Sequence, residues 1–517
     1  NPQGTRSGPG SMPTYELVGE VEADGSSAVG VEGALYALGT GTFAWRNLWI
    51  LGVVNAWGGL VLCCSVFVGR EPELICRSDP DWRDPCTCKE GPSFTASPSE
   101  SYVQTFAMVC ADGVVKRTLV GTMVWFGLMF GLLVTGPACD RIGRRPTLFT
   151  MYGFMLAAHI LAFSAPTWQV FVLARFLHGV AVSSVIPLYL LLVEFLPAMA
   201  RTKFTAYFFA IWALVVGVVG TSMAYASDTL AARFWDAEVA SWRLFFVILF
   251  ATHAFLILLL GVVCQLETPV WLYTVGRVDE AQRVLDAIAR TNRQPTPRLS
   301  SKGDGCVSGS SSSGGFAAEE QGLPMTEIFS WKRRFSGMRA ACLTALCTLS
   351  WFTVNFAYYG VSLNAGALAG SIYVNFLATF LIQMVMYLFS GHLSFATPRL
   401  VCVYSFIAGG AACAAISQVP ADASWAGALT NALAQLGNTG FTIAFTLVYS
   451  VTCDLFPPGI RSAALGFCSA IGRLGSVLAP VVIAIPNLAL VNFIFGTSAI
   501  GTGLLLVFLP EKPLNLD

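Results

Sequence analysis

The chain has 517 residues, 55% of them hydrophobic and only 12% charged, and its net charge is zero. Soluble domains carry roughly 25% charged residues, so this balance, with a mean hydropathy of +0.65, excludes an ordinary water-soluble fold. Zero net charge also gives no ground for nucleic acid as a partner.

Residues 1–45 are polar, acidic and rich in Gly and Ser, and are expected to form a disordered cytoplasmic tail. No basic stretch precedes a short apolar core, so no cleavable signal peptide is expected. The chain starts at Asn1, so either Met12 is the initiator or the sequence is a fragment. Twelve apolar runs follow, each near the ~20 residues a spanning helix needs. The first six lie at 47–69, 118–138, 147–166, 169–193, 204–226 and 243–266; the second six at 340–362, 370–392, 400–417, 424–449, 462–485 and 489–509. They predict an all-α polytopic membrane protein with two pseudosymmetric six-helix halves, 46–266 and 340–510. The lipid bilayer is the expected surrounding. The polar segment 267–339 between the halves holds a Gly/Ser-rich flexible stretch, Gly303–Gly315, and an amphipathic helix, Asp279–Arg290. In that helix Ala281, Val284, Leu285 and Ile288 share one stripe. A short tail, 511–517, closes the chain.

The first loop, 70–117, carries six basic and eight acidic residues. It also holds Cys76, Cys86, Cys88 and Cys110, for which three pairings are open. Zinc is disfavoured there, because C-x-C with no nearby His lacks the usual ligand spacing. No metal or cofactor is expected, and no N-x-S/T sequon occurs. The turn after the second run reads Gly136-Pro-Ala-Cys-Asp140-Arg141-Ile-Gly143-Arg144-Arg145. It is too polar for hydrocarbon. Its arginines, with Arg201, Lys203, Lys332–Arg334 and Arg461, fall on one side, which the positive-inside rule makes cytoplasmic. Both termini then lie in the cytoplasm, and the cysteine loop lies outside, where disulfides persist.

Further motifs come in order: Arg175-Phe-Leu-His-Gly179, Val193-Glu194-Phe195, Glu267-Thr268-Pro269-Val-Trp271-Leu, Gly276-Arg277, Tyr358-Tyr359-Gly360-Val-Ser-Leu-Asn364, and Asp454-Leu-Phe-Pro457-Pro-Gly-Ile-Arg461. With the turn at 136–145 and the cysteine loop, this set resembles the organic cation, organic anion and carnitine transporter family of the major facilitator superfamily, over roughly residues 39–512. The resemblance implies a plasma-membrane carrier of small organic ions, secondary active or facilitative, working by alternating access as a monomer. Three departures stand out. In the second half the arginine turn is reduced to Ser394-Phe-Ala-Thr-Pro398-Arg399, the tail is short, and the first loop has fewer cysteines than many relatives.

An ionisable residue inside a span is a functional-site hypothesis by default. Arg473 is the candidate, mid-span with no Asp or Glu within a helical turn. By resemblance it occupies the position where anion and carnitine carriers hold Arg and cation carriers Asp. Gln383 falls where cation carriers hold Glu. The family pattern adds Tyr207, Phe208, Tyr358, Phe445 and Thr446 as substrate contacts. For gating it implies Asp140, Arg141, Gly143, Arg144 and Arg145, with Glu194 and Arg461 as partners. Arg175 reads as structural or gating, and His159, His178 and His253 as lone buried imidazoles. The leading expectation is transport of organic anions or carnitine-like zwitterions. A cation carrier using an aromatic cage and a transport-inactive receptor or scaffold are the alternatives. A sugar porter is disfavoured because the seventh span lacks a Gln-Gln pair. An enzyme is disfavoured because no catalytic set appears. The coupling ion is left open.

Overall fold

The computed structural model describes residues 20–510 except 22–26, 73, 77–84, 88–91, 95–99, 235–239, 300–324, 336, 364–369, 394–397, 421–422 and 457. The Gly303–Gly315 stretch, Met12, Cys88, Asn364, the turn from Ser394 and the tail 511–517 therefore lie outside the described residues. Hydrocarbon offers backbone groups no partner, so each apolar run closes its own hydrogen bonds as a helix. Among the described residues, eleven helices have the length and apolarity to cross a membrane. Spans one to six are Thr42–Val68, Cys110–Ile142, Arg144–Phe163, Trp168–Val193, Met199–Leu230 and Ser241–Val262; spans seven to nine are Ala340–Leu363, Ile372–Ser390 and Pro398–Gln418. Spans eleven and twelve are Ala464–Ile483 and Leu488–Leu506. The tenth is the helix Ala426–Leu455, whose hydropathy is diluted by Asn431, Gln435, Asn438 and Thr442. Its Asn438 and Thr442 are buried inside the second half, so the dilution faces protein and not lipid.

Two spans depart from the expected bounds for readable reasons. The second starts at Cys110, eight residues early, so its first turns stand clear of the apolar run. The fourth is broken at Ser183–Ser184. Pro187 cannot donate to the carbonyl four residues back. The Ser183 carbonyl instead accepts from the Ile186 amide at 3.0 Å, while Ser183 Oγ donates to the Val180 carbonyl at 2.6 Å and sits 2.5 Å from Thr135 Oγ1.

The expected disordered tail needs correction within residues 31–38, which form a helix, Val31–Leu38. Ala34, Leu35 and Leu38 make an apolar stripe that is buried with Ala281, Val284, Leu285 and Ile288 of the linker helix Val278–Asn292. Asn292 pins the junction: its Oδ1 accepts from the Phe43 amide at 3.0 Å, and its Nδ2 donates to the Leu38 carbonyl at 3.3 Å.

Within each half, helices approach through glycines. A Cβ on Gly179 would lie 1.9 Å from the Val124 carbonyl oxygen, and one on Gly127 2.1 Å from that of Phe176, so spans two and four touch backbone to backbone. Gly472 and Gly475 press span eleven against Trp351 and Phe352 of span seven in the same way. Between halves, spans five and eight meet along Gly217 and Gly220 against Phe380 and Phe376, and spans two and eleven along Gly121 against Pro480. Gly179→Ala should therefore force spans two and four apart, lowering stability by about 1–3 kcal/mol. A thermal melt of the detergent-purified protein checks this, and an unchanged midpoint refutes the close approach.

Candidate functional site

A cavity of about 60 Å³ lies between the halves. That is room for a handful of waters, so a larger solute requires the halves to separate. The first half contributes Asn55, Leu62, Ser184, Phe209 and Trp212 to its wall; the second contributes Tyr358, Tyr359, Tyr387, Phe445, Tyr449 and Arg473. None of the lining residues is a carboxylate.

Arg473 is 7% exposed. Its Nη1 donates to Asn355 Oδ1 at 3.0 Å, and that oxygen also accepts from Ser476 Oγ at 3.3 Å. Asn355 is itself fixed by its Nδ2, which donates to the Trp351 carbonyl at 2.7 Å. The Arg473 Nε is buried with no hydrogen-bond partner among the described residues. An amide oxygen orients the guanidinium without neutralising it, and no lining residue of the cavity supplies a negative group.

Tyr358 and Phe445 stand in the wall with Arg473, as the resemblance implies. Gln383 stands behind it. Its Oε1 accepts from Tyr358 Oη at 2.8 Å and its Nε2 donates to Ser362 Oγ at 3.2 Å. Tyr358 Oη also lies 3.2 Å from Tyr387 Oη, so Gln383 reaches the cavity only through a neutral hydroxyl chain. Three expected contacts lie elsewhere. Tyr207 packs near Trp45, Phe204 and Lys203. Phe208 is fully buried against Tyr189, and Thr446 bonds back to the Thr442 carbonyl. A helix turns about 100° per residue, and the phase is such that Phe209 and Trp212 face inward. Aromatic residues at 207, 208 and 209 in a row hide that phase from the sequence.

The three histidines are not solitary. His178 Nε2 lies 2.9 Å from His159 Nδ1, and His159 Nε2 lies 3.4 Å from His253 Nδ1, which ties spans three, four and six together. All sit at similar depth in their spans, the one sequence signal that could have grouped them. Arg175, 1% exposed, is held by the Val61 carbonyl at 3.0 Å and Ser65 Oγ at 3.1 Å, a strut between spans one and four.

The arginine turn folds back on its own half. Gly143 adopts φ +98°, where a side chain is strained, and a Cβ there would lie 2.6 Å from Glu267 Oε2. That approach lets Glu267 accept from the Arg145 amide at 3.0 Å. Arg144 grips Glu194 at the end of span four through Nε and Nη2, at 3.0 and 2.7 Å. Glu194 also accepts from Thr268 Oγ1 at 2.5 Å, and Trp271 Nε1 donates to the Asp140 carbonyl at 3.0 Å. The two motifs, 136–145 and 267–272, are thus one interlocked unit. Asp140, whose side chain is 75% exposed, lies 3.3 Å from Arg144 and contributes a screened contact worth about 0–1 kcal/mol. Arg141 is exposed. Arg461 lies in the helix Pro458–Ile483, with its side chain outside the described residues. Arg399, the remnant of the second copy, donates to the carbonyls of Val507 and Leu509.

On the opposite face Cys86 and Cys110 form a disulfide, and Cys76 is also disulfide-bonded. The side chains of Arg144 and Glu194 are only 10% and 12% exposed, so removing one partner strands a buried charge. Glu194→Ala should cost about 3–5 kcal/mol and Asp140→Asn far less. Melting temperatures of the two variants side by side test the ranking, and equal losses would refute it.

A family model described as "Sugar (and other) transporter" matches residues 92–512. The chain is 28% identical to solute carrier family 22 member 16 of Homo sapiens over 400 residues, 76% of this chain and 64% of that one. Thus it spans a little under two thirds of that relative's length. It is 25% identical to organic cation/carnitine transporter 2 of Homo sapiens over 448 residues, covering 82% of this chain and 72% of that one. Among solved structures, the inward open conformation of the xylose transporter XylE from E. coli superposes with a TM-score of 0.58 at 13% identity, covering 91% of this chain and 96% of that one. Interlocked arginine turn, long apolar helices and a cavity between two halves agree with these matches: the chain belongs to the sugar (and other) transporter family and has the major facilitator fold.

Proposed function

We propose that this protein carries small organic anions or carnitine-like zwitterions across the plasma membrane by alternating access of the cavity between its halves, as a monomer. The arginine turn then faces the cytoplasm together with both termini, because short cytoplasmic loops hold the excess of Lys and Arg. The observation that carries the reading is Arg473, a buried guanidinium at a cavity wall with an orphaned Nε and no carboxylate among the lining residues. A carboxylate or sulfate entering the cavity supplies the missing acceptor, and a planar fork suits it bidentately. The relative named for carnitine transport moves a solute with one carboxylate and one quaternary ammonium. The ring faces of Tyr358, Tyr359, Phe445 and Tyr449 suit such an ammonium group by cation–π contact. Those rings also support the second reading, a cation carrier in which Arg473 only braces span seven through Asn355.

Uptake of a radiolabelled aryl carboxylate, carnitine and a quaternary ammonium into transfected cells separates these. Losing hydrogen bonds to a charged group costs about 1.5–3 kcal/mol, so Arg473→Ala should lower carboxylate and carnitine uptake about tenfold or more at equal surface expression. Arg473→Lys keeps charge without the fork and should fall between. Wild-type anion uptake in Arg473→Ala sinks the anion reading. Uptake of the ammonium alone selects the cation carrier, and no uptake of any probe favours a transport-inactive receptor or scaffold.

A further inference from the structure

We propose that Arg70, Asp228 and Tyr373 form the gate on the disulfide face, a charge pair confined to the first half that is latched to the second half by one hydroxyl. Arg70 follows the first span, and Asp228 lies near the end of the helix Ala198–Phe234. Arg70 Nη2 meets Asp228 Oδ2 at 2.7 Å. Tyr373, in the first turn of span eight, crosses from the other half: its hydroxyl donates to the same Asp228 oxygen and accepts from Arg70 Nη1 at 3.4 Å. The three groups close a ring, and the side chains of Arg70 and Asp228 are only 24% and 13% exposed. Directly beside it Phe67 stacks on the Tyr373 ring at 5.9 Å and meets Phe376 at 4.6 Å, an aromatic seal between spans one and eight.

The division of charge decides how this ring works. Were Asp228 and its cation on opposite halves, opening would strand two partly buried charges. Here the pair stays together when the halves part, and only bonds to a neutral phenol are broken. Such a latch is strong enough to bias a state and weak enough to release. Among the described residues, the only other hydrogen bond from one half to the other joins Thr122 Oγ1 to the Val477 carbonyl at 3.3 Å, again toward the disulfide face. The cysteine loop holds the ring in register. Ser101 Oγ donates to the Arg70 carbonyl at 2.7 Å, and the neighbouring Glu100 carbonyl accepts from Ser241 Oγ at 2.8 Å.

The test reads accessibility and not transport, so it survives failure of the substrate assignment; it shares with the proposed function only the orientation of the faces. Leu62 lines the cavity, and Leu62→Cys provides a thiol there, measured against the parent chain to subtract native cysteines. Labelling by a membrane-impermeant maleimide is followed on intact cells and on inside-out vesicles, with surface amount and monodispersity of each variant recorded. Tyr373→Phe keeps the ring packing and removes the latch. It should raise the labelling rate on intact cells roughly threefold to tenfold, the range of one lost hydrogen bond. Ser101→Ala, which loosens only the Arg70 backbone, should raise it less. A rise seen only from inside-out vesicles keeps the gate and overturns the orientation. Unchanged labelling from both sides in both folded variants overturns the gate.

Discussion

Keeping an arginine out of water is the constraint around which this chain is organised, because a guanidinium cannot shed its charge and hydrocarbon offers it nothing. Among the described residues three arginines are fully or nearly buried, and each meets the constraint differently. Arg144 takes a carboxylate, Glu194, in a fork that leaves little charge uncompensated. Arg175 takes a helix carbonyl and a serine hydroxyl, which satisfies its geometry while its charge is spread over dipoles. Arg473 takes one amide oxygen and keeps a donor unpaired. The three differ in how far their charge is compensated, Arg144 most and Arg473 least.

The first half is built to move as one piece. Arg144 and Glu194 lock span three to span four, Glu267 and Trp271 clamp the segment after span six onto the turn, and the histidine chain ties the middles of spans three, four and six. Glycine contacts weld spans two and four below them. All of these bonds lie inside one half and its flanking linker, so rocking of the halves leaves them intact. In the second half the equivalent turn carries one arginine in place of three, and Arg399 fastens span nine to the end of span twelve. The burden of rigidity there falls on Gly472 and Gly475 against span seven.

Much of this was legible in the sequence because hydropathy and loop charge are local signals. Eleven spans announce themselves by apolar length, and the arginine turn announces its face. The tenth span is fainter because Asn438 and Thr442 look inward at a polar chain through Ser362 and Gln383, which hydropathy counts as a penalty. Arg473 is visible because a lone cation stands out in an apolar run. The cavity-facing side of span five was not legible: Tyr207, Phe208 and Phe209 offer an aromatic in every direction, and packing alone selects Phe209. The linker carboxylate Glu267 meets Arg145 across 122 residues, a separation no local pattern reports. The helix Val31–Leu38 hid in a polar tail because its stripe is only three residues wide.

Arg473 and the aromatic wall have different mechanical standing, and that bears on how a bound ion could move the protein. Gly472 and Gly475 hold the backbone on either side of Arg473 against Trp351 and Phe352, so its guanidinium is fixed in the frame of the second half. Asn355 on span seven fixes its direction in the same frame. Phe209 and Trp212 belong to span five and travel with the first half. An ion held by charge on one side and by ring and indole faces on the other therefore touches both bodies at once. Its binding free energy depends on their separation, which is the differential affinity a ligand needs to shift a two-state equilibrium. On the disulfide face the same span five, through Asp228, meets the latch hydroxyl of span eight. Pulling span five toward a ligand at Trp212 and releasing Tyr373 from Asp228 are then displacements of one rigid helix, with the cavity near its middle and the latch near its end.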